Sequence, residues 1–276
     1  KNSLQGKKIL LRFDGGMGDT LQFIRYAQLI KNLGATVFAQ VQKPLIPLLS
    51  RCPYIDTMYA HDDQLPLAHD WAALMSLPAI FNSDEQTIPR NIPYLYPDEL
   101  LIKHWHDYLT TDTNIKIGIC WQADVFNDSS RPLVARRGIP LHEFYQLADH
   151  TQIHFYSLQQ KEGLEQLTNL PDSFNLQLFD ESFDIDHGSF MDTAAVIKNL
   201  DLVITVDTAI AHLAGALGTP VWLLLPYATD WRWIVGRTDS PWYPSMKIFK
   251  QSIAFDWKSV MNKINQELAI FINERN

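Results

Sequence analysis

Cysteine is close to absent from this chain: Cys52 and Cys120 are the two in 276 residues. They stand far apart in sequence and Cys120 falls in an apolar run. That excludes a disulfide framework and reads as two reduced thiols. Positive charge is short as well. Lysine and arginine number 23 against 31 aspartates and glutamates, a formal net charge of −8. This deficit excludes a sequence-independent role on nucleic acid, and any phosphate site has to be a local cationic pocket. No run of ~18 apolar residues is present, so no membrane-spanning helix is expected. No signal peptide is visible, and a start at Lys1 leaves room for a leader or a preceding domain upstream. A cytoplasmic protein is the expectation. What the chain has is length for one large or two medium domains and, at 46% hydrophobic residues, ample core.

The most informative stretch is Asp201–Pro226, DLVITVDTAIAHLAGALGTPVWLLLP. Leu202–Val206 is an apolar, β-branched run of the kind found in buried parallel strands. Asp207 and Thr208 stand where that strand ends, and either can cap the helix that follows, roughly Ala209–Leu217. That helix is small residues and aliphatics plus one histidine, His212. Gly218-Thr219-Pro220 stops it and Val221–Leu225 opens a new strand. Small residues at a helix start past a strand's carboxyl end let a ligand approach the backbone, where free N–H groups attract phosphate. The plain alternative is an ordinary βαβ unit with a tightly packed helix.

A second such unit opens the chain. Lys8–Phe13 reads as a strand, Asp14–Asp19 as a glycine-rich turn and Thr20–Leu33 as an amphipathic helix, before a strand at Thr36–Val41. Three glycines in four positions imply positive φ angles or close backbone approach. The spacing fits neither a dinucleotide fingerprint nor a Walker loop. Asp19 reads equally as a helix cap and as a carboxylate aimed into a cleft.

The chain divides near residue 110, into 1–110 and 111–276, with Thr110–Asn114 as linker. Residues 8–105 alternate strands with helices, ending in a helix at Asp98–Tyr108. A fresh strand, Lys116–Trp121, opens the second half. A helix at Leu141–His150, a strand at Ile153–Ser157 and a helix near Thr193–Asn199 precede the unit described first. Val260–Glu274 is a closing amphipathic helix, free to pack back on the first half. The loop Gln122–Pro140 carries Arg131, Arg136 and Arg137 past a strand end, where arginine can grip phosphate oxygens in pairs; the alternative is a solvated basic loop. Asp184-x-Asp186-His187 has the texture of a metal-binding motif but lacks strand context, and reads as a solvated acidic loop. Trp231, Trp233, Trp242 and Tyr243 can stack on a sugar or base; aromatics at this density more often form core, but the interleaved Arg232, Arg237 and Asp239 argue for a partly polar site.

GGMGDTLQFIRYAQLI near the start, and VDTAIAHLAGALGTPVWLLLP, DWRW and DSPWYP near the end, resemble glycosyltransferase family 9, the group that includes the ADP-heptose:lipopolysaccharide heptosyltransferases. The resemblance runs from Gly6 to about Trp257. It is closest to the heptosyltransferase-like domains at the C-terminus of bacterial tetratricopeptide-repeat proteins, and so implies an N-terminal repeat domain absent from this chain. Asp14-Gly15 and Val125-Phe126 depart from the family text. The implied fold is α/β of GT-B type, two Rossmann-like domains facing a central cleft.

The implied function is inverting, metal-independent transfer of a sugar from a nucleotide-diphosphate donor to a glycan, lipid-linked or protein hydroxyl, with no cofactor. Asp19 is the expected base. Gly16, Met17, Gly18, Arg136, Arg137, Asp207, Thr208, Ala209 and His212 are expected on the nucleotide sugar. Gln22, Trp231 and Arg232 are expected on the acceptor or sugar side. Arg137, favoured over Arg131 by its place before Ile139-Pro140-Leu141, would offset charge on the leaving diphosphate. His212 is expected to add charge at low pH and only a hydrogen bond at high pH. Two rival classes stay open: a non-catalytic sugar-nucleotide-binding module of a repeat protein, and a GT-B-type epimerase or hydrolase.

Overall fold

A computed structural model describes residues 3–109, 114–124 and 132–275. Most of the expected linker, and Val125, Phe126 and Arg131 of the arginine loop, lie outside the described residues.

The first half holds four parallel strands, β1 (Lys8–Arg12), β2 (Thr36–Val41), β3 (Thr57–Ala60) and β4 (Asp70–Ala73), in the order β3-β2-β1-β4. The second holds six: β5 (Ile115–Cys120), β6 (Ile153–Ser157), β7 (Leu176–Gln177), β8 (Leu202–Val206), β9 (Val221–Leu225) and β10 (Met246–Lys250). Their order is β10-β9-β8-β5-β6-β7, all parallel. Every side chain of β8 and β9 is buried, as strands covered on both faces require. In each sheet the order reverses beside the first strand, between β1 and β4 and between β5 and β8. Crevices at the carboxyl ends of such strands are where open α/β sheets bind ligands.

The helices are α1 (Met17–Phe23), α2 (Tyr26–Asn32), α3 (Ile46–Leu49), α4 (Leu77–Ile80), α5 (Glu99–Leu109), α6 (Met191–Asn199), α7 (Ala209–Leu217) and α8 (Trp257–Asn273). Three differ from the sequence reading. The single helix expected over 20–33 starts earlier and breaks at Ile24-Arg25, where a tight turn bonds Ala27 N to Ile24 O. Arg25 is drawn inward there: its guanidinium donates to the Trp242 carbonyl at 2.7 Å and the Tyr94 hydroxyl at 2.7 Å. The helix expected at 141–150 is a run of tighter, three-residue turns over Leu141–Leu147. Leu141, Phe144 and Leu147 are all fully buried, and a repeat of three matches that geometry. The closing helix α8 does not return to the first half. Its apolar stripe, including Val260, Met261, Ile264 and Leu268, packs with Ile117, Ile119, Leu202 and Ile204 of the second sheet.

The two halves share a core. One apolar cluster runs from Ile9 and Leu11 of β1, through Leu21, Phe23 and Ile24 of α1, to Ala211, Leu213 and Ala214 of α7 and on to Trp233, Trp242 and Tyr243. α1 lies against α7 because Gly18 removes the obstacle: a Cβ there would sit 2.8 Å from His212 Cδ2.

Candidate active site

The heads of α1 and α7 meet at the carboxyl ends of β1, β5 and β8. Thr208 is the extended residue that starts α7, with φ −134° and ψ 175°. Its side chain makes no capping bond, contrary to expectation. The hydroxyl faces Thr205 Oγ1 at 3.4 Å and Cys120 Sγ at 3.8 Å. The first N–H groups of α7 are therefore left uncapped by that side chain, and Thr208 and Ala209 are half-buried. Such a helix head favours an anion. Arg137 comes to the same place, its Nη1 donating to the Asp207 carbonyl at 2.9 Å. Arg136 is exposed beside it.

Asp207 is buried, and burial raises its carboxyl above the usual range while the charges of Arg232 and Arg137 act against that rise. His212, one turn along α7, is 2% exposed. Its Nδ1 lies 2.9 Å from the Tyr243 hydroxyl, its Nε2 lies 3.8 Å from Asp207 Oδ1, and its ring stacks on Trp233. Burial first, then Arg232, Arg25 and Arg137, hold its pKa well below the ordinary histidine value. The ring is neutral at physiological pH. The expectation of a titrating phosphate cation is corrected: a nearly enclosed imidazole among three arginines does not take up a proton there.

Asp19 is not the helix N-cap expected of it: Gly16 holds that place and Asp19 is the third residue of α1. Its Oδ2 accepts from Gly16 N at 2.7 Å, closing the first turn of α1, and its Oδ1 takes Arg232 Nη2 at 2.6 Å. Arg232 also donates to Gln22 Oε1 at 2.8 Å and Asp230 Oδ1 at 2.9 Å. Burial would lower the Arg232 pKa, but Asp19, Asp230 and Asp207 more than offset this and hold it above its usual value. Arg232 is thus a buried ionic bridge between the halves, beside the more exposed pair of Arg237 with Glu85. Gln22 is fully buried behind it and does not border open space as the sequence reading placed it, while Gly18 packs on His212 and stays half-buried. Met17 is exposed on the first turn of α1. Trp231 is 59% exposed and stacks on Phe23 at 6.4 Å. Beside it opens a cavity of about 210 Å³ lined by Pro78, Ile88, Ile234, Pro241 and Trp242, with Arg232 at its edge.

Two supports of the site were not singled out from sequence. Gln159, just past β6, accepts from Trp121 N and Gln122 N and donates to the Gln122 carbonyl, fixing the exit of β5. Arg25, which nothing local marks as buried, forms the joint behind His212 with Tyr243, a residue the aromatic cluster already placed in a core. The acidic motif is not the solvated loop expected: Asp184 is half-buried, while Asp186 is exposed. Asp184 accepts from Thr193 N and Oγ1 at the head of α6, and Asp192 accepts from Trp105 Nε1, Asp184 N and the His187 ring. Among the described residues no group of three or more His, Cys, Asp or Glu is placed to hold a metal ion. No helix among them is long and apolar enough to cross a membrane.

Residues 146–253 match the family model of glycosyltransferase family 9 (heptosyltransferase). Protein FlbA of Caulobacter vibrioides is 24% identical over 295 residues, covering 97% of this chain and 47% of that protein. The chain thus spans about half the length of that curated relative. Escherichia coli ADP-heptose lps heptosyltransferase II superposes with a TM-score of 0.64 at 14% identity, over 98% of this chain and 100% of that one. The family 9 glycosyl transferase of Veillonella parvula gives 0.62 at 12% identity, over 95% and 92%. The fold is accordingly α/β of GT-B type, built on two Rossmann-like sheets.

Proposed function

We propose that this chain is a glycosyltransferase that takes a sugar from a nucleotide-diphosphate donor, with ADP-heptose the first donor to test because heptosyltransferase II shares the fold. The observation that carries the reading is the meeting of two unlike groups across the joint of the halves. A carboxylate, Asp19, stands at the head of α1; an uncapped helix head with Arg137 stands opposite it at the end of β8.

The reaction follows from that pairing. The diphosphate rests on the N–H groups of Thr208 and Ala209, with Arg137 and Arg136 offsetting its charge. The acceptor enters along the Trp231 cavity. Asp19 takes the proton of the acceptor hydroxyl as that oxygen attacks the anomeric carbon. The bond from that carbon to the phosphate oxygen breaks, and the nucleoside diphosphate leaves with the electron pair. Attack from the face opposite the leaving group inverts the anomeric centre. Charge on the leaving group is met by arginine and helix dipole, so the reading needs no metal ion. Two buried free cysteines suit a reducing, cytoplasmic setting. The proposal includes attachment to a tetratricopeptide-repeat region outside this chain, on the motif resemblance alone.

The test is Asp19→Asn. Donor binding, read by titration of ADP, should stay near wild type, while transfer falls by ~10²–10⁴-fold, the usual contribution of a general base. Unchanged turnover in Asp19→Asn would defeat the base assignment. Binding of nucleotide sugar with no release in either form would favour the non-catalytic module. Release at equal rate with and without acceptor would favour the hydrolase.

A further inference from the structure

Tyr243 is fully buried between the two halves, and the reading so far gives it no part. Its ring carries the Arg25 guanidinium at 4.7 Å, and its hydroxyl lies 2.9 Å from His212 Nδ1. A neutral imidazole has one N–H and one lone pair, and which nitrogen holds the hydrogen is set by the partners of both.

The partners here decide it. On the Nε2 side stands Asp207 Oδ1 at 3.8 Å, an acceptor. If Nε2 held the lone pair, two acceptors would face each other in a site shut off from water, at a cost not recovered elsewhere. If Nε2 holds the hydrogen, it points a dipole at the carboxylate. Nδ1 then holds the lone pair and needs a donor, and the Tyr243 hydroxyl is the donor in reach; the Tyr94 hydroxyl beside it already accepts from Arg25 Nη2 and donates to the Leu21 carbonyl. Arg25 supports that direction, because a cation on the ring disfavours an O–H aimed back at it. The other groups around the imidazole are the guanidinium groups of Arg232 and Arg137, the Trp233 ring stacked on it and the backbone of Gly18. The guanidinium groups and the indole ring offer no hydrogen-bond acceptor to compete with Asp207.

We infer that Tyr243 is a positioning residue: by donating to Nδ1 it holds His212 as the Nε2–H tautomer, which in turn holds the Asp207 carboxylate beneath the head of α7. Tyr243 touches no substrate in this arrangement and acts through His212. The tautomer assignment rests on the geometry together with the neutrality of the buried ring. Its effect on ligand binding rests on the donor-site reading above.

The experiment is long-range ¹H–¹⁵N correlation on the full chain labelled at histidine, with His212 assigned by its loss in His212→Gln. In the wild type, Nε2 should show the shift of a protonated ring nitrogen and Nδ1 that of a bare one. In Tyr243→Phe the pattern should reverse or average between tautomers, while Tyr26→Phe, whose hydroxyl binds Ser83 instead, should leave it alone. ADP should bind Tyr243→Phe more weakly by roughly five- to tenfold, the loss of one supporting hydrogen bond, with adenosine affected less. A wild-type spectrum with the hydrogen on Nδ1 overturns the inference and needs no variant to fold. So does a Tyr243→Phe protein with the wild-type pattern. A changed tautomer with unchanged ADP affinity upholds the assignment and counts against the donor-site reading.

Discussion

Replacing Arg232 by glutamine removes a buried charge that joins the halves. Its guanidinium reaches Asp19 at 2.6 Å, Gln22 at 2.8 Å and Asp230 at 2.9 Å, with 8% of its side chain exposed. Breaking a buried pair from one side leaves the partner carboxylates without compensation, which costs about 3–5 kcal/mol. Asp19 and Asp230 keep 21% and 20% of their side-chain exposure and can regain some water, so the low end applies. About 3 kcal/mol corresponds to a fall in Tm of about 6–12 °C for a chain of this size. The assay is chemical denaturation at pH 7 of the wild type, Arg232→Gln, Asp19→Asn and the double variant. The double variant should be less destabilised than the sum of the single ones, by about 1.5–3 kcal/mol, as expected for groups in direct contact. Strict additivity would refute the bridge and reduce the Asp19–Arg232 contact to a surface pair of little consequence.

Arg137→Ala should weaken ADP by about tenfold while barely changing adenosine, because it removes a charge-assisted contact to phosphate; equal losses in isothermal titration would place Arg137 in packing instead. His212 has a folded pKa well below its unfolded value of ~6.5, so the unfolded chain binds more protons there. Stability should drop as pH falls below ~6.5, by up to about 1.4 kcal/mol per pH unit from this residue, and His212→Gln should flatten that slope in urea melts at pH 5.5 and 7.5. Asp184→Asn should lower stability by about 1 kcal/mol through the head of α6 and leave transfer intact. EDTA should not change activity, and loss restored by Mn²⁺ would overturn the metal-independent reading.

Much of the site was legible because its parts are local. The run Leu202–Val206, the small-residue helix after Thr208 and the stop at Gly218 are punctuation that neighbouring residues supply. The glycine turn was legible in part: Gly15 and Gly16 lie in it, but Met17, Gly18 and Asp19 are already helix α1. What escaped is what distance makes. Arg25 breaks a helix that its own periodicity would continue, and the Trp242 carbonyl that draws it in lies 217 positions away. Asp19 and Arg232 are 213 positions apart, so a cap and a cleft carboxylate look alike until the halves meet. Over Leu141–Leu147 a repeat of three and a repeat of 3.6 differ too little to separate on so short a run.

The apolar seam between α1 and α7 has a consequence for how this molecule can be taken apart. Phe23, Ile24, Leu213, Trp233 and Tyr243 are core for both halves at once. A cut near residue 110 would not release two modules; it would strip each of a wall and leave a large greasy face on both. The second half is therefore not a portable cassette. Grafted alone onto another scaffold it would aggregate, and a chimera would keep its solubility only if the glycine turn and α1 travelled with it.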